Sequence, residues 1–227
     1  MSKKGSSIKT RYSFWYRNGL TLFFVTLMVF TLGGQANTGW KEHNKDLEEE
    51  HIPPIEFTEY FNTGHFYQAT FENWESEFLQ MALYVVLTIH LRQLGSSESK
   101  KLGEKEEVDR EPKAHANAPW PVKKGGWILK LYSQSLSLAF FFLFVLSFWA
   151  HLEGSLKDYN EEQRLKNQPE ESISEYITNT RLWFESLQNW QSEFLSVASI
   201  VFLSVYLRQK GSPESKPVDA PDFETGR

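Results

Sequence analysis

The chain has 227 residues, a net charge of −5 and 23% charged side chains, averages that are typical of one or two soluble domains. Its 15% aromatic content excludes a disordered acidic chain, and its negative charge gives no overall basic surface for nucleic acid. Because the chain has no cysteine, disulfides, thiolate nucleophiles and cysteine-ligated metal sites are excluded. These averages conceal a segregation of charged and apolar residues into different stretches.

Four stretches are predicted to be transmembrane helices. No charged residue or histidine occurs in 18–40 or 131–150, and about 20 apolar residues suffice to cross a bilayer. The apolar runs 78–91 and 194–207 are shorter, so on length alone each also fits a buried helix or a re-entrant segment. Both reach spanning length when the preceding polar residues are included. The predicted spans are 18–38, 73–93, 131–151 and 189–209.

The charges of the connecting segments orient these helices. Residues 1–17 carry a net charge of +5 and residues 92–130 carry +3, whereas the loop 37–73 carries −6 and the loop 151–189 carries −4. Cytoplasmic loops are enriched in Lys and Arg. Both termini are therefore predicted on the cytoplasmic side, with the two acidic loops outside.

The chain repeats itself at an offset of 116 residues. Residues 16–100 align with 132–216 without a gap, and 28 of these 85 positions are identical. Each copy contains two spans, which predicts two parallel hairpin repeats related by a pseudo-twofold axis along the membrane normal. A cleaved signal peptide is disfavoured for the first span, because the second copy carries the same kind of segment in mid-chain.

This alignment predicts a first membrane repeat, a charged cytoplasmic linker, a second membrane repeat and a flexible tail, over residues 1–100, 101–121, 122–211 and 212–227. In each outer loop, apolar residues recur at spacings of three, four and seven after Pro53 and Pro169. This pattern predicts an outer amphipathic helix in each repeat. The helix either lies on the membrane surface or packs on the other loop.

Two repeated motifs resemble a known family. The block Asn-Trp-Glu/Gln-Ser-Glu-Phe-Leu occurs at 73–79 and 189–195, and Gly-Ser-x-Glu-Ser-Lys closes each copy. These motifs resemble a family of small bacterial membrane proteins, domain of unknown function 6766, over roughly residues 12–216. The resemblance implies an all-α, four-helix integral protein of the bacterial inner membrane, and it implies no activity.

The first block supplies the candidate site. Glu77 and Glu193 lie about one turn inside the predicted spans, where a carboxylate costs free energy unless it faces water or a partner. With their neighbours they are predicted to line a polar pocket that binds a cation or exchanges protons: Asn73, Ser76, Glu77, Asn189, Ser192 and Glu193. The competing interpretation makes Asn73 and Asn189 helix N-caps, with the glutamates complementing the helix dipole. The predicted interfacial anchors are Trp74, Trp190, Arg92 and Arg208.

Two functions remain open. The chain is either a structural or interaction component of the cell membrane, or a small cation- or proton-handling channel, transporter or sensor that uses the paired glutamates. No common catalytic motif occurs, so no enzyme activity, metal site or cofactor is predicted. His43, His51 and His65 are interpreted as parts of a solvated acidic loop rather than as metal ligands. The predicted partners are the bilayer, anionic lipid at the basic linker and a second copy of the chain, but not nucleic acid.

Overall fold

The computed structural model describes residues 12–226. The predicted cytoplasmic N-terminus, residues 1–11, lies outside the described residues. Every regular element in the described part is helical, which confirms the all-α class. The helices are α1 (Phe14–Glu49), α2 (Phe57–Tyr60), α3 (Gly64–His90), α4 (Trp120–Lys124), α5 (Gly126–Ser133), α6 (Ser135–Leu165), α7 (Ile173–Tyr176) and α8 (Thr180–Tyr206), with a 3₁₀ turn at Glu107–Asp109. The chain divides after Phe66 into two compact units.

Two helices of the described residues are long and apolar enough to cross a membrane, α1 and α6. They contain the first predicted span and most of the third. The third was predicted to begin at Leu131, but Leu131 lies in α5. The helix is interrupted at Gln134, and α6 begins at Ser135. The other two predicted spans fall mainly in α3 and α8, which are long enough to cross a membrane but contain no stretch as apolar as those in α1 and α6.

Helices α3 and α8 begin well before the predicted spans. Asn73 and Asn189 therefore lie inside helices, and the interpretation of these residues as N-caps is wrong. Asn179 caps α8 instead, because its side chain accepts a hydrogen bond from the Arg181 N–H at 2.9 Å. The separate outer amphipathic helices reduce to the single turns α2 and α7, and the remaining amphipathic residues form the first turns of α3 and α8.

The two halves of the chain share their element boundaries at the repeat offset. Helices α2 and α7, helices α3 and α8, and the ends of α1 and α6 all lie 116 residues apart. His51 and Asn167, two residues after the ends of α1 and α6, both adopt a left-handed conformation, with φ of 62° and 52°. These matched boundaries support the interpretation of the sequence as a duplication.

An asparagine clamp closes the loop between α1 and α2, and a second one closes the loop between α6 and α7. Asn160 donates to the Glu171 carbonyl and accepts from the Glu171 N–H, both at 2.9 Å. Asn44 makes the same pair of bonds with Ile55, at 3.0 and 2.8 Å. Each clamp satisfies a backbone donor and acceptor in a loop that has no sheet or helix to satisfy them.

The repeated Arg-Gln and Gly-Ser-x-Glu-Ser-Lys residues follow the C-terminal ends of α3 and α8. Nη1 of Arg92 donates to two carbonyls in the last turn of α3 and to that of Leu91 just after it, and Nη1 of Arg208 makes the equivalent bonds at α8. The Ser99 hydroxyl accepts from the Gln93 N–H at 2.9 Å, and the second copy repeats this bond. These arginines thus cap the helix C-termini; their role as interfacial anchors stays a prediction.

Residues 212–226, expected from the sequence to be flexible, fold against these C-terminal ends. The buried Lys216 donates to the carbonyls of Pro221, Asp222 and Glu224 at 3.2, 3.0 and 2.9 Å. The Thr225 hydroxyl accepts from the Gly95 N–H at 2.9 Å. Hydrogen bonds within the segment and to Gly95 therefore hold residues 212–226 in place.

The asparagine clamp predicts a localised loss of stability. Asn160→Ala leaves the Glu171 backbone groups without their partner, so the free energy of unfolding should fall by about 1–3 kcal/mol. Asn160→Asp keeps the acceptor and should cost less. Thermal unfolding in detergent, with proteolysis of the loop between α6 and α7, measures the effect, and the exposed Glu153→Gln is the control. Equal stability of Asn160→Ala and wild type would contradict the proposed role of the clamp.

Candidate functional site: a buried histidine–carboxylate centre

A buried histidine joins three helices. His151 of α6 has no solvent exposure. Its Nδ1 lies 3.0 Å from Oε2 of Glu75 in α3, and its Nε2 lies 3.1 Å from Oε2 of Glu185 in α8. Ionised carboxylates only accept hydrogen bonds, so the ring donates from both nitrogens and is an imidazolium in this arrangement. We call His151, Glu72, Glu75 and Glu185 the histidine–carboxylate centre.

Glu75 is held on both of its oxygens. Its side chain is fully buried, and Oε1 accepts from the indole N–H of Trp190 at 3.2 Å. The sequence predicted Trp190 as an interfacial anchor. In the structure its indole N–H, on α8, is directed at the Glu75 carboxylate of α3. A buried carboxylate requires such partners, because burying a charge without them costs several kcal/mol.

Glu185 receives three hydrogen bonds. Ser155 donates to Oε2 at 2.6 Å and Arg181 donates to Oε1 at 3.0 Å, in addition to the bond from His151. Burial alone would raise the pKa of Glu185, but these hydrogen bonds hold it below its ordinary value. Glu185 is therefore ionised at neutral pH.

Arg181 joins the start of α8 to the polar face of α6. It donates to Glu162 at 2.7 Å and also to Asp158, besides its bond to Glu185. Although burial opposes the charge, these three carboxylates raise the pKa of Arg181 above its ordinary value. Arg181 is thus shared among three acids and neutralises none of them alone.

A small apolar core lies next to the site, and the hydroxyls of Tyr176 and Ser155 form a buried pair beside it. Leu152, Leu182 and Tyr176 form a small buried core. The Tyr176 hydroxyl lies 2.6 Å from Oγ of Ser155, and burial raises the pKa of Tyr176 to about 12. Because Ser155 donates to Glu185, Tyr176 donates to Ser155, giving a chain of hydrogen bonds that ends at the centre.

Glu72 brings a third carboxylate to the ring. One carboxylate oxygen of Glu72, one of Glu185 and a ring nitrogen of His151 all lie within 4.8 Å of one another. Burial and the charges of Glu185 and Glu75 raise the pKa of Glu72, against the opposing charge of His151. Glu72, His151 and Glu185 are thus the residues that could hold a metal ion. The sequence-based prediction of no metal site did not consider His151.

A glycine allows the helices to approach. A Cβ at Gly154 would lie 2.6 Å from the backbone nitrogen of Gln68 and from Cβ of Tyr67. Helices α6 and α3 are therefore in backbone contact one turn from His151, and any larger residue would separate them. This close approach lets Glu75 reach the ring.

The predicted site residues are placed differently. Asn73 and Asn189 donate to carbonyls four residues earlier in their own helices, at 2.9 and 3.0 Å. Ser76 and Ser192 each donate to the carbonyl three residues earlier, at 2.8 Å. These four side chains are therefore engaged within their own helices rather than directed at a shared pocket.

The paired glutamates do come near each other. Helices α3 and α8 meet at equivalent positions, since Gln80 donates to Ser196 at 3.4 Å across the repeat offset of 116. The charge of Glu77 acts on the carboxyl of Glu193. Glu77 is exposed and Glu193 is half-buried, so the pair lies closer to solvent than Glu75 does.

The residues that sequence reasoning missed are those in which the two copies differ. Glu75, His151 and Glu185 correspond at the offset to Gln191, Gln35 and Ala69. The site predicted from the sequence consists of residues that are identical in both copies, such as Glu77 and Glu193, and therefore omits Glu75, whose counterpart is Gln191. One signal was available in the sequence. His151 directly follows the charge-free stretch 131–150, and acids precede both of the shorter apolar runs, 78–91 and 194–207.

In the first unit, two of the loop histidines pack together. His43 is buried in α1 and its ring stacks on His65 with centroids 5.3 Å apart. The Tyr60 hydroxyl lies 2.8 Å from Nδ1 of His65. The expected solvated loop is therefore wrong for His43, whereas His51 is exposed.

Comparison with known proteins identifies the family. Residues 11–227 match the family described as Domain of unknown function (DUF6766), and the chain belongs to it. No curated protein and no solved structure matches the chain.

The centre predicts energetic coupling between helices. His151→Gln should lower the free energy of unfolding by about 3–5 kcal/mol, because two buried carboxylates lose their cation. Glu75→Gln should cost less, since Glu185 still neutralises the ring. The double variant should cost less than the sum of the two. A double-mutant cycle by denaturant unfolding in detergent measures the coupling, with Glu77→Gln as control. Additive costs would show that the two side chains do not interact.

Proposed function

We propose that this member of the DUF6766 family is an integral membrane protein that binds a cation at its histidine–carboxylate centre. One observation carries the proposal: Glu72, Glu75 and Glu185 lie around the buried ring of His151, so that three carboxylates share one imidazolium. Arg181, the other nearby cation, is shared with Asp158 and Glu162. The excess of negative charge in a low-dielectric site favours uptake of a cation.

The apolar surface of the long helices supports the membrane assignment. Large apolar side chains face outward along α1 and α6; Phe30 is 78% exposed and Phe142 is 62% exposed. A helix with such a surface is stable in hydrocarbon and not in water. Outward apolar residues also occur in the predicted second and fourth spans, including Leu87 and Leu195. We therefore propose that α3 and α8 complete a set of four spans.

The charge distribution supports the orientation. With both termini and the linker on the cytoplasmic side of a bacterial inner membrane, the polar outer ends of α3, α6 and α8 face outward. The centre then lies at the outer boundary of the spans. Its cation would arrive from the outside, through the acidic loops that precede α3 and α8.

A purely structural role is the second candidate. Every hydrogen-bonding atom of His151 and of Glu75 is satisfied by another helix, as expected of an interaction that only fastens α3, α6 and α8 together. Buried ion pairs are a costly way to fasten helices, because apolar residues of similar volume are often as stabilising. Glu72 also adds a third carboxylate that is not needed to hold the three helices together. These two arguments favour the cation-binding role.

Cation-dependent stability tests the proposal. Purified protein in lipid nanodiscs is heated with chloride salts of Na⁺, K⁺, Mg²⁺, Ca²⁺, Mn²⁺ or Zn²⁺. At least one cation should raise the Tm of wild type, since a ligand at 100 times its Kd stabilises by about 2.7 kcal/mol. Glu72→Gln and Glu185→Gln should lose the increase, and Glu77→Gln should keep it. The absence of any cation effect, or its persistence in both site variants, would contradict the proposal.

The natural absence of cysteine allows a direct test of the topology. Thr58→Cys and Ser174→Cys place exposed thiols at equivalent positions of the two outer loops, and Ala114→Cys places one in the linker. A membrane-impermeant maleimide should label the first two in intact spheroplasts and the third only after lysis. Labelling of Ala114→Cys in intact spheroplasts would reverse the proposed orientation, and labelling of only one outer-loop thiol would contradict the four spans.

A further inference from the structure

The histidine–carboxylate centre has the ligand arrangement of a transition-metal site. Metal–nitrogen and metal–oxygen bonds in such sites are about 2.0–2.2 Å long, so ligand atoms lie within about 4.2 Å of each other. The ligand atoms of Glu72, His151 and Glu185 already lie within 4.8 Å. Tetrahedral ligand atoms lie about 3.4 Å apart, so movements of about 1–1.5 Å by the two glutamate side chains would close the remaining difference.

Nδ1 of His151, the ring nitrogen that would not bind the metal, is held as in many metal-bound histidines. Histidine ligands commonly donate their other N–H to a carboxylate, which fixes the ring. Glu75 accepts from Nδ1 in this way and is itself held by Trp190. Nε2 is left facing Glu185, and an oxygen of Glu72 lies within 4.8 Å of a ring nitrogen and of a Glu185 oxygen.

We propose that the centre binds one divalent first-row transition-metal ion, of the Zn²⁺, Mn²⁺ or Fe²⁺ class, through Nε2 of His151 and the carboxylates of Glu72 and Glu185. This inference rests on the proposed cation-binding function and names its ligand. The metal replaces the Nε2 proton, which passes to solvent, and separates the ring from Glu185. Ser155 and Arg181 keep Glu185 in place during this exchange.

The donor set distinguishes this class from hard cations. Ca²⁺ and Mg²⁺ select oxygen ligands, whereas an imidazole nitrogen suits Zn²⁺, Fe²⁺ and their neighbours. Three protein ligands leave coordination positions for water or an exchanging ligand, unlike a closed structural site. At the repeat offset the ligands correspond to Gln188, Gln35 and Ala69, so the proposal gives one such site per chain.

Cobalt substitution and calorimetry test this inference. Protein without a histidine tag is stripped with a chelator, reconstituted in nanodiscs and titrated with Co²⁺ or Zn²⁺. Wild type should bind one ion per chain, and the Co²⁺ form should show visible d–d absorption. Glu72→Gln should weaken binding at least tenfold, and His151→Gln should abolish the absorption. Glu75→Gln should weaken binding 10- to 100-fold without removing a ligand.

Two controls separate this centre from other sites. Glu77→Gln removes a nearby carboxylate outside the centre, and His65→Gln removes a histidine of the first unit; both should bind as wild type. Because Glu72 does not hydrogen-bond to the ring, its variant tests the inference even if His151→Gln fails to fold.

The outcomes are distinct from those of the cation-stability test. No Co²⁺ or Zn²⁺ binding in wild type, or unchanged binding in Glu72→Gln, would overturn this inference. If Na⁺ or Ca²⁺ still raised the Tm through Glu185, the proposed function would stand with a different cation. If no cation had an effect, both would fall.

Discussion

The contact on which the described structure of the second unit depends is the pair of hydrogen bonds from His151 to Glu75 and Glu185. These bonds join α3, α6 and α8 in a place where the side chains are excluded from water. In such surroundings an unpaired charge is far more costly than in solvent, so the three helices must meet in one register to satisfy all three groups. The glycine at 154 permits the close approach, and Trp190 and Arg181 complete the hydrogen bonding.

The internal repeat distinguishes the residues that build the fold from those that form the histidine–carboxylate centre. Residues identical in both copies, such as Asn44 and Asn160 or Arg92 and Arg208, satisfy backbone groups at loops and helix ends. The centre is built from positions at which the copies differ. A duplication explains this division, since both copies need the same loops whereas a single asymmetric site needs its ligands only once. All residues of the proposed metal site lie in the second unit, which begins at Tyr67 and includes most of α3.

The sequence predicted the helical class, the two strongly apolar helices and the family. Charge-free stretches and repeated motifs can be read directly from the sequence, without knowledge of the packing. The true starts of α3 and α8 were missed because Asn73 and Asn189 look like caps, although nearby residues continue the helix. The centre could not be found by motif, because its members lie far apart in the chain and only packing brings them together.

The central claim concerns the His151 ring, and its ¹⁵N chemical shifts test that claim most directly. In nanodiscs with ¹⁵N-histidine, His151→Gln assigns the resonances. Without metal, both nitrogens of His151 should show the shifts of a protonated, hydrogen-bonded imidazolium. Adding Zn²⁺ should move only Nε2 to the position of a metal-bound nitrogen, while Nδ1 remains protonated towards Glu75. A neutral ring in the metal-free protein that does not respond to Zn²⁺ would contradict both the ion network and the metal site.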